Sequence, residues 1–142
     1  MTALDAYAVI AYLRAEPAGP AVRQLLAEPT AVSVLNAAES VDRMIRLHGH
    51  SAEDVRQDLA VLERAGLRMV PLTDDVAIQA GLLRARHYDR KSGEVSMADC
   101  VAVATALSEK LPLATADPVL LAVMRAEGGE VYELPDSRGV RP

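Results

Sequence analysis

Short apolar runs alternate along this chain with longer segments of helical period. Thr2–Leu4 is a short apolar start that reads as a strand, and Ala6–Arg14 as a helix broken by Pro17, Gly19 and Pro20. Ala21–Ala27 suits a second short helix and Ala31–Ser33 a strand. From Val34 to His48 the apolar residues Val34, Ala38, Val41 and Ile45 recur at i, i+4, i+7 and i+11. That spacing predicts a helix with this stripe turned inward and Glu39, Arg43 and Arg46 on the opposite side. Gly49 stops it. Ser51 opens another helix, with Val55, Leu59 and Leu62 as its stripe and Gly66 as its end.

Arg68–Leu72 reads as a strand, and Thr73 caps a helix running to about His87. Its end overlaps Arg84–Glu94, the most polar stretch, which reads as a loop. Ser96 caps an Ala- and Val-rich helix over Met97–Lys110, expected to be buried on most sides. Leu111–Thr115 is a strand, Val119–Glu127 a helix and Glu130–Leu134 a last strand. Strands that alternate with helices predict an α/β domain with a parallel sheet. Residues 1–135 make one domain on this reading, and residues 136–142 a tail expected to fray.

Composition changes the picture by exclusion. A chain of 142 residues, 51% hydrophobic and 25% charged, has the usage of one globular domain. Its net charge is −5, from 15 Lys+Arg against 20 Asp+Glu. Blanket attraction to phosphate is thereby excluded, so any contact with nucleic acid needs a local basic patch or metal ions. One Cys rules out an internal disulfide and a four-thiolate zinc site. Tyr is the only aromatic residue type, which leaves few platforms for stacking bases. No apolar run is long enough to span a membrane, and the N-terminus has no basic leader, so a cytoplasmic protein is expected. No glycine-rich phosphate loop is present.

The candidate chemistry lies in where certain acids fall. Asp5 directly follows the first strand, and Asp117 lies just past the strand ending at Thr115. Glu39 sits on a helix that follows a strand, and Asp99 lies in the first turn of the apolar helix opened by Ser96. In open α/β sheets, ligands bind in the crevice beyond the carboxyl ends of the strands. Acids converging there repel one another and need a cation, a shared proton or solvent. Carboxylate oxygens suit Mg²⁺ or Mn²⁺. Each acid also has a purely structural reading. Asp99 with Ser96 resembles a capping box, Asp117 before Pro118 an ordinary helix start, and Glu39 the i, i+4 partner of Arg43. Asp5 alone has no obvious partner in sequence.

Four segments carry a resemblance. Leu4-Asp5-Ala6, Ala38-Glu39-Ser40, Ser96-Met97-Ala98-Asp99-Cys100 with Ala102 and Ala104, and Thr115-Ala116-Asp117-Pro118 resemble, in order and spacing, the motifs of PIN-domain ribonucleases, and in particular VapC-type toxins. The resemblance runs from about Thr2 to Leu134. It implies a PIN-like α/β domain, a central parallel sheet flanked by helices on both faces, and an acidic pocket for Mg²⁺ or Mn²⁺ that cuts RNA. On that likeness Asp5 and Asp99 are the main metal ligands, with Glu39 and Asp117 completing the catalytic set directly or through water. Thr115, and Ser96 at the helix start, support those carboxylates from behind. A VapB-like antitoxin, an RNA substrate and a homodimer are the implied partners. Tyr7 departs from the pattern, which often has Ser or Thr two residues after the first Asp.

Arg84, Arg86, His87, Arg90 and Lys91 form the densest basic group in the sequence and are candidates to hold RNA phosphates; Arg14, Arg43 and Arg46 are weaker ones. His48 and His50 are two apart and make a poor metal pair. Cys100 reads as a buried, inert thiol. Two rival readings stand beside the nuclease: an Mg²⁺-binding receiver-like module, and a catalytically inactive PIN-like interaction module.

Overall fold

A computed structural model describes residues 1–142. Five parallel strands form one sheet: β1 (Thr2–Leu4), β2 (Thr30–Ser33), β3 (Leu67–Val70), β4 (Leu113–Thr115) and β5 (Val131–Glu133). Their order is β3-β2-β1-β4-β5. Seven helices cover the sheet: α1 (Ala6–Leu13), α2 (Gly19–Leu25), α3 (Val34–Arg46), α4 (Ala52–Arg64), α5 (Asp74–His87), α6 (Met97–Glu109) and α7 (Pro118–Ala126). The receiver-like alternative requires the order 2-1-3-4-5, and this sheet does not have it.

Each face of the sheet carries its own core because successive strand side chains point to opposite sides. Leu4, Val32 and Ala114 pack with Val9, Val22, Met44 and Leu59 beneath α1–α4. Ala3 and Leu113 pack with Leu83, Val101, Val103 and Leu120 beneath α5–α7. Ordering a strand as short as β1 or β4 is favourable only because both of its faces are covered.

The boundaries differ from the sequence reading where local chemistry is ambiguous. Pro20 does not break a helix; it sits in the first turn of α2, where the missing N–H costs nothing. The strand β3 ends at Val70, leaving Leu72 exposed. Helix α5 ends at His87, as its capping residue and length predict, so the loop expected over Arg84–Glu94 begins only after it and Arg84 and Arg86 are helical.

The inward stripe of α3 is the clearest correction. Its buried residues are Asn36, Ala37, Ser40 and Met44, whereas Val34 and Ile45 are exposed. The helical period is right and its phase is off by one residue, which is about 100° around the axis. The terminal segment also differs from expectation. Instead of fraying, it closes a turn: the Asp136 N–H donates to the Val140 carbonyl at 2.6 Å, and the Arg138 and Val140 N–H groups donate to the Asp136 carboxylate.

Candidate functional site

Strand order reverses on either side of β1, with β2 and β3 to one side and β4 and β5 to the other. A crevice opens where helices diverge from β1 and β4, as expected at such a switch point. It is a cleft of about 300 Å³ whose lining includes Asp5, Glu39, Asp99 and Asp117, together with Asn36, Arg43 and Asp136. The four acids singled out in the sequence therefore meet in one place, though they come from the ends of β1 and β4, the second turn of α3 and the first turn of α6.

Local structure explains how each is held. Asp5 is the N-cap of α1, and one of its oxygens accepts the Ala8 N–H at 2.8 Å. Asp117 is the N-cap of α7, accepting the Val119 N–H at 2.8 Å. Asp99 completes a capping box on α6: its Oδ2 accepts the Ser96 N–H at 3.0 Å, and its own N–H donates to Ser96 Oγ at 3.1 Å. The structural reading of these acids is thus correct, and it does not compete with a functional one. In each carboxylate one oxygen is tied to a helix N-terminus, which fixes the side chain, and the other oxygen accepts no N–H. Three helix N-termini directed at one cleft also offset part of its negative charge.

Glu39 is positioned differently. Asn36, buried to 1% exposure, donates from Nδ2 to the Ala98 carbonyl at 3.2 Å and to Glu39 Oε2 at 3.5 Å. Its side-chain oxygen Oδ1 takes a short hydrogen bond from the Ser33 hydroxyl. Asn36 therefore ties α3 to the start of α6, the two elements that carry Glu39 and Asp99. The sequence reading did not single it out. The signal was present, since Asn36, Glu39 and Arg43 stand at i, i+3 and i+7 and form a polar stripe. Thr115 is fully buried; its hydroxyl accepts the Asp117 N–H at 3.0 Å and sits beside Asp5, whose carboxyl it lowers.

The electrostatics single out Asp5. It is 6% exposed, and burial pushes its carboxyl up to about 7, against the lowering effect of hydrogen bonds from Thr115 and the Ala8 N–H. The charges of Asp99 and Asp117 act in the same upward direction, but less than burial does. The shift thus owes more to desolvation than to the crowding of like charges. Cys100, next to Asp99, is buried and its thiol is pushed up to about 11, which makes it a poor nucleophile.

No group of three or more His, Cys, Asp or Glu side chains forms a ready-made metal cage. The donor chemistry nevertheless fits a small hard cation. The acids present carboxylate oxygens only, and Mg²⁺ is commonly held by one or two carboxylates with water and substrate phosphate completing its shell. Asp5 is the best fit, being a buried carboxylate without a cation at hydrogen-bonding distance.

The tail forms one wall. The Tyr7 hydroxyl donates to the Pro135 carbonyl at 2.8 Å, and this holds Asp136 and Ser137 at the cleft. Burial raises the Tyr7 phenol above its ordinary value, with Glu16, Asp136 and Asp5 adding to the shift. The basic group expected to serve the site lies elsewhere: none of Arg84, Arg86, Arg90 and Lys91 lines the cleft. Arg84 donates to the Val95 carbonyl at 3.1 Å and stacks over the Tyr88 ring, while Arg86 pairs with Glu127 at 3.0 Å.

Comparisons with known proteins agree with this architecture. VapC20 of Mycobacterium tuberculosis, described as a sarcin-ricin loop cleaving toxin, superposes with a TM-score of 0.70 at 19% identity over 100% of both chains. VapBC2 of Rickettsia felis, solved with a fragment of promoter DNA, gives 0.70 at 15% identity over 94% of this chain and 98% of that one. FitAcB of Neisseria gonorrhoeae gives 0.67 at 22% identity over 93% and 96%. Identities this low show a common fold. No curated protein sequence matches significantly. The PIN domain family model matches residues 2–126, most of the sheet and all seven helices, and the chain belongs to the PIN-domain family.

Proposed function

We infer that the chain is an Mg²⁺- or Mn²⁺-dependent endoribonuclease, the toxin of a toxin–antitoxin pair. The observation that carries this reading is the meeting of Asp5, Glu39, Asp99 and Asp117 in one cleft at the switch point of the sheet. Membership of the PIN-domain family supports hydrolysis of nucleic acid, and the likeness to VapC and VapBC structures supports the toxin role.

Asp5 and Asp99 would hold the ion, with Glu39 and Asp117 completing the set. A bound ion would lower the pKa of water and offset charge on the leaving oxygen. The chain's own groups do the positioning. The Ala8 N–H and Thr115 fix Asp5, Ser96 fixes Asp99, the Val119 N–H fixes Asp117, and Asn36 steadies Glu39. Burial of Asp5 keeps that carboxylate short of compensating solvent, so a cation is the partner that would relieve it.

A VapB-like antitoxin, an RNA substrate and a second copy of the chain are the proposed partners. Exposed apolar side chains such as Val34, Ile45 and Leu47 around α3, and Ile78 and Leu82 on α5, are surface that a protein partner would cover. No helix is long and apolar enough to cross a membrane, and a cytoplasmic location follows from the toxin reading.

The test is cleavage of total cellular RNA by purified protein with Mg²⁺, with Mn²⁺ and with EDTA, alongside Asp99→Asn. Cleavage should require the ion and disappear in the variant. Equal cleavage by both proteins would refute the site. No cleavage under any condition would favour an inactive PIN-like interaction module.

A further inference from the structure

Only one cation lines the acidic cleft, and its state differs from that of the other arginines. Arg14 pairs with Glu16, Arg46 with Asp42, Arg68 with Glu109, Arg86 with Glu127, Arg125 with Glu133 and Arg138 with Asp136. Arg84 and Arg141 donate to backbone carbonyls. Arg43 makes no hydrogen bond; its nearest acid, Glu39, stands at 4.0 Å.

The same helix supplies an internal control. Arg46 and Asp42 have the same i, i+4 spacing on α3, and there the guanidinium closes on the carboxylate through two nitrogens, at 3.1 Å and 2.8 Å. Spacing therefore does not keep Arg43 open. The Arg43 side chain lines the cleft, 40% exposed, and Glu39 takes a separate contact from Asn36. A guanidinium at the rim of an acidic cleft, free of hydrogen bonds and held only by a long 4.0 Å ion pair, offers an anion its donors in a planar fork suited to phosphate. The arginines with neither a partner acid nor a carbonyl, Arg23, Arg56, Arg64 and Arg90, do not line the cleft.

We propose that Arg43 anchors a backbone phosphate of the RNA strand beside the acidic cleft, as a substrate-positioning residue. The proposal rests on the ribonuclease reading above and names the group that binds substrate in that site. It replaces the basic group at Arg84–Lys91, whose first two arginines are already engaged. A phosphate held one helical turn from Glu39 brings the strand to the carboxylates without bringing its bases into specific contact. The contact should therefore be independent of sequence.

The test uses the full chain. RNA binding is measured by fluorescence anisotropy in Mn²⁺, with a short labelled single strand of random sequence and Asp99→Asn as the non-cleaving parent. Adding Arg43→Ala should weaken binding about tenfold, the loss of one charge-assisted contact. It should also make the log–log salt dependence shallower by about one ion. Arg43→Lys should restore part of the affinity, because charge returns without the fork. Arg56→Ala, an equal change in net charge outside the cleft, should leave affinity unchanged. Mn²⁺ affinity without RNA, compared between wild type and Arg43→Ala, should not fall.

Unchanged RNA affinity in Arg43→Ala would overturn the proposal. So would a matching loss in Arg56→Ala, which would mean general attraction, or a parallel loss of Mn²⁺ affinity, which would mean that Arg43 acts through the carboxylates. If the wild type cut no RNA while binding still depended on Arg43, the hydrolase reading would fail and the anchor would stand.

Discussion

The acidic cleft and the basic end of α5 are both dense charge groups, and they are built to opposite effect. In the cleft, Asp5, Asp99 and Asp117 each commit one oxygen to a helix N-terminus, and none pairs with a cation. At the end of α5, Arg84 and Arg86 are committed to the Val95 carbonyl, the Tyr88 ring and Glu127, and His87 shares Glu127 at 2.7 Å. The comparison teaches that density of charge in sequence says little about its availability. A helix N-terminus orients a carboxylate without neutralising it, whereas an opposite charge at close range uses it up.

The largest effect that would break this comparison is on catalysis. Asp99→Asn should lower RNA cleavage by about 100-fold or more, since losing a ligand removes several kcal/mol of stabilisation from the reacting phosphate. Arg86→Ala should change it less than about twofold, as an exposed structural ion pair contributes little even to stability. Comparable losses in both variants, measured as initial rates on one RNA, would mean that the α5 end belongs to the site.

The next effect concerns stability without metal. Asp5 carries a carboxyl raised to about 7 by burial. The neutral form favours the fold, so its contribution is present below about pH 4 and is lost as pH rises toward 7. Asp5→Asn keeps an acceptor for the Ala8 N–H and removes the charge. In EDTA its melting temperature should exceed that of the wild type by several degrees at about pH 8 and by much less at about pH 4. Identical pH profiles for the two proteins would show that the Asp5 carboxylate is ionised at little cost.

The smallest effect is at the wall of the cleft. Tyr7→Phe removes the hydroxyl that donates to Pro135 and should cost about 1 kcal/mol of stability, checked by urea titration. Protection of the Val140 amide, which donates to the Asp136 carboxylate, should fall with it in hydrogen exchange. Unchanged protection would mean that the turn holds itself in place without Tyr7.

Much of this fold was legible because local chemistry and tertiary packing agree. Ser51, Thr73 and Ser96 cap the helices that they were expected to cap. Val55, Leu59 and Leu62 point inward as their spacing requires. On α3 the two levels disagree. Val34, Ala38, Val41 and Ile45 make an apolar stripe, yet the fold turns Asn36, Ala37, Ser40 and Met44 inward because Asn36 must reach Ala98 and Glu39 must reach the cleft. Hydrophobic periodicity reports an apolar face; it does not say whether that face meets the core or the surface. The turn at Asp136–Val140 was illegible for a related reason: its anchor is Tyr7, at the other end of the chain.

The sequence by itself determined the alternation of elements, the parallel sheet and the four acids at strand ends and helix starts. Those features depend on residue type and on neighbours within a few positions. Tertiary structure alone decided that β1 and β4 lie side by side and gather the acids into one cleft. It also decided that Asp5 is buried, that Arg43 faces the cleft without a hydrogen bond while Arg84 and Arg86 are engaged, and that the tail closes a wall. These outcomes turn on desolvation and on distances between residues far apart in the chain. Both are set by which strand pairs with which, and no local pattern encodes them.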